Sequence, residues 1–183
     1  MKNKIIIIGG YCATGKSTFS LKLSKSLNIP CFNKDTIKEV LGDGFGPENN
    51  MVYHKGSPVT FLLILHIVER FLQAGKECII ESNFNPNEII QLKILLDKYN
   101  CECLSYMFKG DFDILYNRYI QRDNLGERHW VHKPAGENKE AFREGHLKSG
   151  IGEIITIDTT SFANMDYEKL YTIAKKFIIN GIQ

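Results

Sequence analysis

Short apolar runs alternate with longer segments of helical spacing along most of the chain. The first run, residues 5–8, is four consecutive isoleucines followed by two glycines. A β-branched run without polar alternation predicts a fully buried strand of a parallel sheet. Further strands are predicted at 30–33, 77–81, 102–108 and 153–157, and helices at 16–27, 35–41, 57–73, 86–99, 111–122 and from about 165. This alternation predicts an α/β fold.

Residues 42–56 are polar and rich in glycine and asparagine, which predicts a loop. Ser57 followed by Pro58 predicts that the next helix begins there, because the hydroxyl caps free N–H groups and proline lacks the donor that would go unpaired. Helix 57–73 carries more apolar side chains than one buried stripe requires. It is therefore a candidate acceptor wall or dimer contact, and both monomer and homodimer remain open.

Length and composition limit the classes of protein that fit. The chain has 183 residues, 43% of them hydrophobic, which predicts one domain over 1–183. Its net charge of +2 is too small for a nucleic-acid polyelectrolyte, although a local basic patch stays open. Five cysteines without a C-x-x-C pair indicate a reducing, cytoplasmic location. No apolar run has the length of a signal peptide or membrane span, so neither export nor a membrane partner is expected.

The segment Gly10-Tyr11-Cys12-Ala13-Thr14-Gly15-Lys16-Ser17 fits the phosphate-loop motif G-x-x-x-x-G-K-[ST] in full. It lies directly after a predicted buried strand and before a helix, which is the context the motif requires. Its backbone N–H groups would cradle phosphates, Lys16 would contact the β- and γ-phosphates, and the Ser17 hydroxyl would ligate Mg²⁺. The predicted nucleotide-binding residues are Gly10, Ala13, Thr14, Gly15, Lys16, Ser17 and Thr18, with ATP and Mg²⁺ as cofactors.

The rest of the chain discriminates among phosphate-loop proteins. GTPases need an N-K-x-D base reader after a later strand, and the nearest match, Asn33-Lys34-Asp35, has the wrong spacing and comes too early. Motor ATPases need an acidic Walker B pair and further coupling domains, for which this chain is too short. Of these classes, a phosphotransferase fits the sequence best.

Asp35 follows the second predicted strand, so it should lie beside the phosphate loop at the carboxyl edge of the sheet. A carboxylate there can accept the proton of an attacking hydroxyl. The alternative is that Asp35 only caps its helix. Lys38, one turn later, is either an acceptor-binding cation or an exposed helix lysine.

The third strand ends in Glu81, followed closely by Asn83. An acid at this position would support the Mg²⁺ shell through water, and Asn83 could reach the acceptor. The alternative for Glu81 is an ordinary residue at a strand end.

Arg118 and Arg122 are four residues apart on one helix, and Arg128 lies in the loop beyond. Three guanidinium groups so close together predict a lid, at about residues 118–148, that clamps ATP phosphates and neutralises the transferring group. The alternative is a solvated basic face paired with nearby acids. His129 and His132 are expected to shape the inner wall of the lid.

Together these motifs resemble the small P-loop kinases grouped with the phage polynucleotide 5'-kinase domain and the zeta-toxin kinases. The resemblance rests on the phosphate loop, on Asn33 to Asp35, on the acid and asparagine after the third strand, and on the arginine-rich lid. It implies a three-layer α/β/α P-loop NTPase fold with a five-stranded parallel sheet of order 2-3-1-4-5 and a helical lid. It also implies that Thr159, after the last strand, lies near the adenine.

The sequence therefore predicts transfer of the ATP γ-phosphoryl group to a hydroxyl acceptor, most simply a small molecule. Asp35 would be the base, and Lys16, Arg122 and Arg128 would stabilise the transferring charge. A nucleotide hydrolase or switch protein is one alternative, and a non-catalytic binding module is another. A polynucleotide 5'-hydroxyl kinase is a further one, for which Lys34, Lys38 and Lys55 would have to form a basic groove.

Overall fold

The computed structural model describes residues 2–48, 50–126, 128–132, 139, 142 and 150–180, without the side chains of 50, 53 and 54. In this part of the chain, five parallel strands form one sheet in the order β2-β3-β1-β4-β5. The strands are β1 (Lys4–Gly10), β2 (Cys31–Asn33), β3 (Cys78–Glu81), β4 (Glu102–Lys109) and β5 (Glu153–Asp158). The predicted strand order is therefore confirmed.

Helices cover both faces of the sheet. In chain order they are α1 (Lys16–Leu27), α2 (Lys34–Phe45), α3 (Asn50–Gln73), α4 (Pro86–Lys98), α5 (Phe112–Asn124) and α6 (Tyr167–Asn180), with a short 3₁₀ turn at Phe162–Asn164. Alternate side chains of β1 enter two apolar clusters: Ile6 and Ile8 pack towards α1 and α6, while Ile5 and Ile7 pack towards α3 and α4. This two-sided burial explains the unbroken isoleucine run and confirms the three-layer architecture.

Strand register brings three segments together at the carboxyl edge of the sheet. Ile8 of β1 and Asn33 of β2 are both aligned with Glu81, the last residue of β3. The phosphate loop, the first turn of α2 and the loop after β3 therefore start side by side. Open α/β sheets bind their ligands at this edge, which is where the candidate site lies.

The predicted loop over 42–56 is wrong, because α2 continues to Phe45 and α3 already begins at Asn50. Gly42 does not end α2; a β-carbon there would overlap Val131, so this glycine permits a close approach. Buried Val52 shows that the first turns of α3 contribute to packing. Pro58 lies inside α3 instead of starting it.

We expect Gly42→Ala and Gly44→Ala to change stability in opposite directions, although both glycines lie in α2. Gly44 has open space around it, so alanine should stabilise the helix by about 0.5–1 kcal/mol. At Gly42 the added methyl must displace Val131, and overpacking of this kind costs about 1–3 kcal/mol. Urea unfolding of both variants measures the difference. Equal stabilisation by both would show that Val131 does not pack on Gly42.

Other predicted boundaries agree with the observed ones within two residues, and the chain leaves β2 directly into α2. Much of the predicted lid helix beyond residue 132 lies outside the described residues, apart from Lys139 and Phe142. Among the helices that the structure describes, none has both the length and the apolar character needed to cross a membrane.

Candidate active site

The phosphate loop joins β1 to α1, and its backbone is shaped by close neighbours. Gly10 has a φ of +115°, and a β-carbon there would overlap the Phe108 carbonyl of β4. The Tyr11 carbonyl accepts hydrogen bonds from Thr14 Oγ1, at 2.7 Å, and from Lys16 Nζ. Lys16 is buried within the loop. Because its ammonium is held over the loop, its charge is available where phosphate oxygens would be cradled.

The next feature is a hydrogen-bonded cluster of three polar side chains at the end of β3. Ser17 Oγ donates to Glu81 Oε2 at 3.1 Å, and Asn33 Nδ2 donates to the same oxygen. Asn33 Nδ2 also contacts Ser17 Oγ at 3.3 Å. Sequence reasoning missed this role of Asn33, although its place at the end of β2 beside Glu81 could have indicated it.

Glu81 is buried, with 4% of its surface exposed. Desolvation raises its pKa to about 7, and the charge of Asp35 acts in the same direction, while Lys16 and the Ser17 hydroxyl oppose the shift. A buried carboxylate that has a raised pKa and lies beside the Ser17 hydroxyl is suited to a cation that replaces the proton. The donor set therefore fits Mg²⁺. Among the described residues there is no cluster of three or more histidine, cysteine or acidic side chains that could hold a metal by itself.

Asp35 lies in the first turn of α2, where it is exposed and lines the same cavity as Lys16 and Glu81. The helix is capped by Asn33, whose side chain accepts the Thr36 N–H at 2.9 Å. Asn33 therefore caps the helix, and Asp35 shares its cavity with the phosphate loop.

Lys38 does not occupy the predicted acceptor position. It is buried, and its ammonium donates to the Val131 carbonyl at 2.6 Å. Helical spacing could not indicate this contact, because the partner is a backbone carbonyl 93 residues away in the chain. Asn83 does line the cavity, and its amide lies 3.1 Å from Cys12 Sγ.

Two of the three predicted lid arginines line the cavity, Arg122 and Arg128. Arg128 donates to the Tyr119 hydroxyl at 2.7 Å and to Asp123 at 2.9 Å, and its guanidinium lies 4.6 Å from the centre of the Tyr119 ring. Tyr119 lines the cavity too, and only its position one turn before Arg122 could have indicated it in the sequence.

Arg118 points elsewhere. Its guanidinium donates to the carbonyls of Thr159 and Thr160 at 2.7 and 2.9 Å and stacks 4.3 Å from the centre of the Phe162 ring. The Thr159 side chain is fully buried and donates to Lys109. Two carbonyls after β5 thus hold the Arg118 guanidinium, and Arg118 is not among the residues that line the cavity. Phe162 in turn lies against Gly15 of the phosphate loop.

One cavity of about 300 Å³ collects most of the predicted site. Its described lining consists of Cys12, Ala13, Thr14, Gly15, Lys16, Ser17, Thr18, Asp35, Glu81, Asn83, Tyr119, Arg122, Arg128 and His132. Gly10, Lys38, Arg118 and Thr159 are predicted site residues that do not line it. The cavity thus brings together the phosphate loop, two carboxylates (Glu81 and Asp35) and two arginines (Arg122 and Arg128).

Comparisons with known proteins find matches among solved structures. No family profile and no curated protein matches the chain. Among solved structures, an inferred kinase from Chloroflexus aurantiacus is 26% identical, with a TM-score of 0.83 over 99% of this chain and 98% of that one.

More distant structures share the fold. A sugar kinase from Janibacter sp. is 13% identical, with a TM-score of 0.59 over 98% of this chain and 95% of that one. A gluconokinase from Sinorhizobium meliloti is also 13% identical, with a TM-score of 0.55 over 97% and 91% of the two chains. The chain has the P-loop NTPase fold that these kinases share. The narrower resemblance to polynucleotide kinases and zeta-toxin kinases has no support among these structures.

Proposed function

We propose that this protein is a Mg²⁺-dependent kinase that transfers the γ-phosphoryl group of ATP to a hydroxyl of a neutral small molecule. The observation that carries the proposal is the convergence of Lys16, Glu81 and Asp35 on one cavity at the end of the phosphate loop. The single sheet with its two apolar clusters supports one kinase domain over residues 1–183.

Asp35 is the general base of the proposed reaction. Its carboxylate takes the proton of the acceptor hydroxyl as that oxygen forms a bond to the γ-phosphorus, while the bond from phosphorus to the ADP oxygen breaks. Lys16 and the loop N–H groups bind the phosphates. Arg122 and Arg128 neutralise charge on the transferring oxygens, and their position on the lid side of the cavity supports this role.

Ser17 and Glu81 would hold Mg²⁺, with Asn33 keeping both side chains in place. When bound, the ion neutralises phosphate charge. Buried Glu81 must first release its proton, and the chain supplies the opposing positive charge of Lys16 close by.

The nucleoside of ATP is proposed to lie beside Arg118 and Phe162. This stacked pair lies next to Gly15, at the end of the phosphate loop that precedes α1. Arg118 would then act by fixing the loop after β5, with no direct phosphate contact.

A second cavity, of about 530 Å³, supports a neutral acceptor. The loop after β3 contributes Asn83 to the phosphate cavity and Asn85 to this second one. Its described lining consists of Ser57, Pro58, Phe61, Leu62, Asn85, Pro86, Asn87, Glu88 and Gln91. Among these residues the single charged side chain, Glu88, is paired with buried Lys34.

An apolar floor with neutral polar groups around it suits a sugar, polyol or nucleoside better than a polyanion. Of the three lysines that a basic groove for a polynucleotide would need, two have partners in the protein: Lys34 is paired with Glu88 and Lys38 is bonded to Val131. Only Lys55 is exposed, which is too little positive charge to favour a polynucleotide. The predicted role of α3 as an acceptor wall agrees with this arrangement, since Phe61 and Leu62 belong to it.

The test is an acceptor panel with γ-labelled ATP and Mg²⁺. One arm contains neutral sugars, polyols and nucleosides; the others contain aminoglycosides, sugar acids and 5'-hydroxyl oligonucleotides. We expect label on a compound of the neutral arm and none with Lys16→Ala, which removes the phosphate-binding cation. Label on the oligonucleotides alone would show that the acceptor is a polynucleotide and not a small molecule. Label found only as free phosphate would indicate a hydrolase.

A further inference from the structure

Residues 128–132, here named the strap, pass between α5 and α2 at the phosphate cavity. Arg128 at one end and His132 at the other both line that cavity. The same two residues, with His129 and Trp130, also line a neighbouring cavity of about 300 Å³. The strap therefore lies between the two cavities, and its position determines where the Arg128 and His132 side chains stand in the phosphate cavity.

The α5 end of the strap is fixed by Arg128. Its hydrogen bonds to Tyr119 and Asp123 attach it to two residues one turn apart on α5. Charge-assisted bonds of this kind are shorter and stronger than neutral ones, so this end has a defined position.

The α2 end is fixed by four contacts that repeat along one face of the helix. Val131 is fully buried against Gly42, and its carbonyl accepts the Lys38 ammonium at 2.6 Å. His132 Nε2 lies 2.8 Å from Glu39 Oε1, and His129 Nε2 lies 2.9 Å from Asp43 Oδ1. These contacts hold the strap against α2 through three of its five residues.

The helix that holds the strap also carries Asp35. Glu39 follows Asp35 by one turn of α2, so the two carboxylates lie on the same side of the helix. Asp35 and His132 both line the phosphate cavity. Asp35 and the residues that hold the strap thus lie on one helix, α2.

We infer that Lys38 and Glu39 are positioning residues, which fix the strap on α2 so that His132 stands in the cavity beside Asp35. This inference rests on the proposed kinase function. His132 contacts the acceptor or the transferring phosphoryl group, and Glu39 orients its ring through Nε2. Burying the Lys38 ammonium carries a desolvation cost that apolar packing would avoid, and the Val131 carbonyl offsets it.

Trp130 provides a direct readout, because it is the only tryptophan of the chain and lies in the middle of the strap. It is half-buried, and Gly42 of α2 lies against its ring. We would compare Trp130 fluorescence in Lys38→Met, Glu39→Ala and Glu39→Gln, with Glu168→Ala on α6 as an exposed-carboxylate control. Thermal unfolding by circular dichroism first establishes that each variant folds.

In Lys38→Met and Glu39→Ala the emission should shift to longer wavelength and acrylamide should quench it more strongly, since the released indole meets water. Glu39→Gln retains an acceptor for His132 and should behave like the wild type, as should Glu168→Ala. If emission and quenching were unchanged in both Lys38→Met and Glu39→Ala, the inference that these residues fix the strap on α2 would be wrong, whatever the kinetic constants of the variants.

The kinetic arm uses the acceptor found in the panel. Glu39→Ala should lower kcat about tenfold with little change in the KM for ATP, because a misplacement of about 1 Å costs up to about 10²-fold. Glu39→Gln should recover most of the loss. A released strap with unchanged kcat would remove the positioning role. If the wild type transfers label to no acceptor, the kinase function fails, and the fluorescence arm still decides whether α2 holds the strap.

Discussion

Asp35→Asn lowers the rate of phosphoryl transfer about 10²–10⁴-fold, the range associated with losing a general base. Asparagine keeps the size of the side chain and cannot accept the hydroxyl proton. ATP affinity stays near the wild-type value, because the phosphate contacts come from the loop and Lys16. Single-turnover transfer from γ-labelled ATP gives the rate, and calorimetric titration with a non-hydrolysable ATP analogue gives the affinity.

The matched control is Asp97→Asn on α4, an exposed carboxylate whose ion-pair partner is Lys93, at 2.7 Å. It should transfer at the wild-type rate. Helix capping is not a competing explanation, because Asn33 caps α2. Transfer by Asp35→Asn at the wild-type rate would remove Asp35 as the base.

Glu81→Gln makes the protein more stable and less active. Below pH 4.5, the ordinary pKa of the group, Glu81 is protonated in both the folded and the unfolded chain, so it contributes no difference. Because its folded pKa is raised to about 7, wild-type stability falls as the pH rises from 4.5 towards 7. Above pH 7 the neutral glutamine should stabilise the protein by about 3 kcal/mol, the linkage value of such a shift.

The same substitution removes the carboxylate that Mg²⁺ needs. We expect transfer to fall about 10²-fold, the scale of losing one electrostatic contact in an active site. In the wild type, Mg²⁺-dependent nucleotide binding should weaken as the pH falls below about 7, because the ion must displace the Glu81 proton. Glu81→Gln should lose that pH dependence.

Urea unfolding without Mg²⁺ from pH 4 to 8, together with nucleotide titrations over the same range, measures both effects. Glu153→Gln, an exposed carboxylate on β5, is the control and should change neither. A Glu81→Gln protein that is less stable than the wild type at pH 8 would show that the carboxylate is stabilised in the fold by its partners, Ser17 and Asn33.

The sequence was sufficient for the fold and for the phosphate loop because both depend on local patterns. The isoleucines of β1 are buried on both faces of the sheet, so an unbroken apolar run is what a central strand requires. The complete motif from Gly10 to Ser17 specifies a strand, a turn and a helix at once. Strand ends then placed Asp35 and Glu81 at one edge.

What the sequence could not predict depends on contacts between distant segments. Gly42 and Pro58 are helix breakers by propensity, yet both lie inside helices, because Val131 needs the space at Gly42 and α3 gains burial by starting early. Lys38 and Arg118 are drawn to backbone carbonyls far away in the chain. Carbonyls are present at every residue, so no side-chain pattern marks these partners.

The most direct measurement is a ³¹P magnetic-resonance time course of the protein with ATP, Mg²⁺ and the neutral acceptor arm. Transfer to a hydroxyl predicts ADP and a new phosphate monoester appearing in equal amounts, with little inorganic phosphate, and loss of the monoester signal in Asp35→Asn. ADP and inorganic phosphate in equal amounts, formed at the same rate by both proteins, would contradict a kinase that uses Asp35.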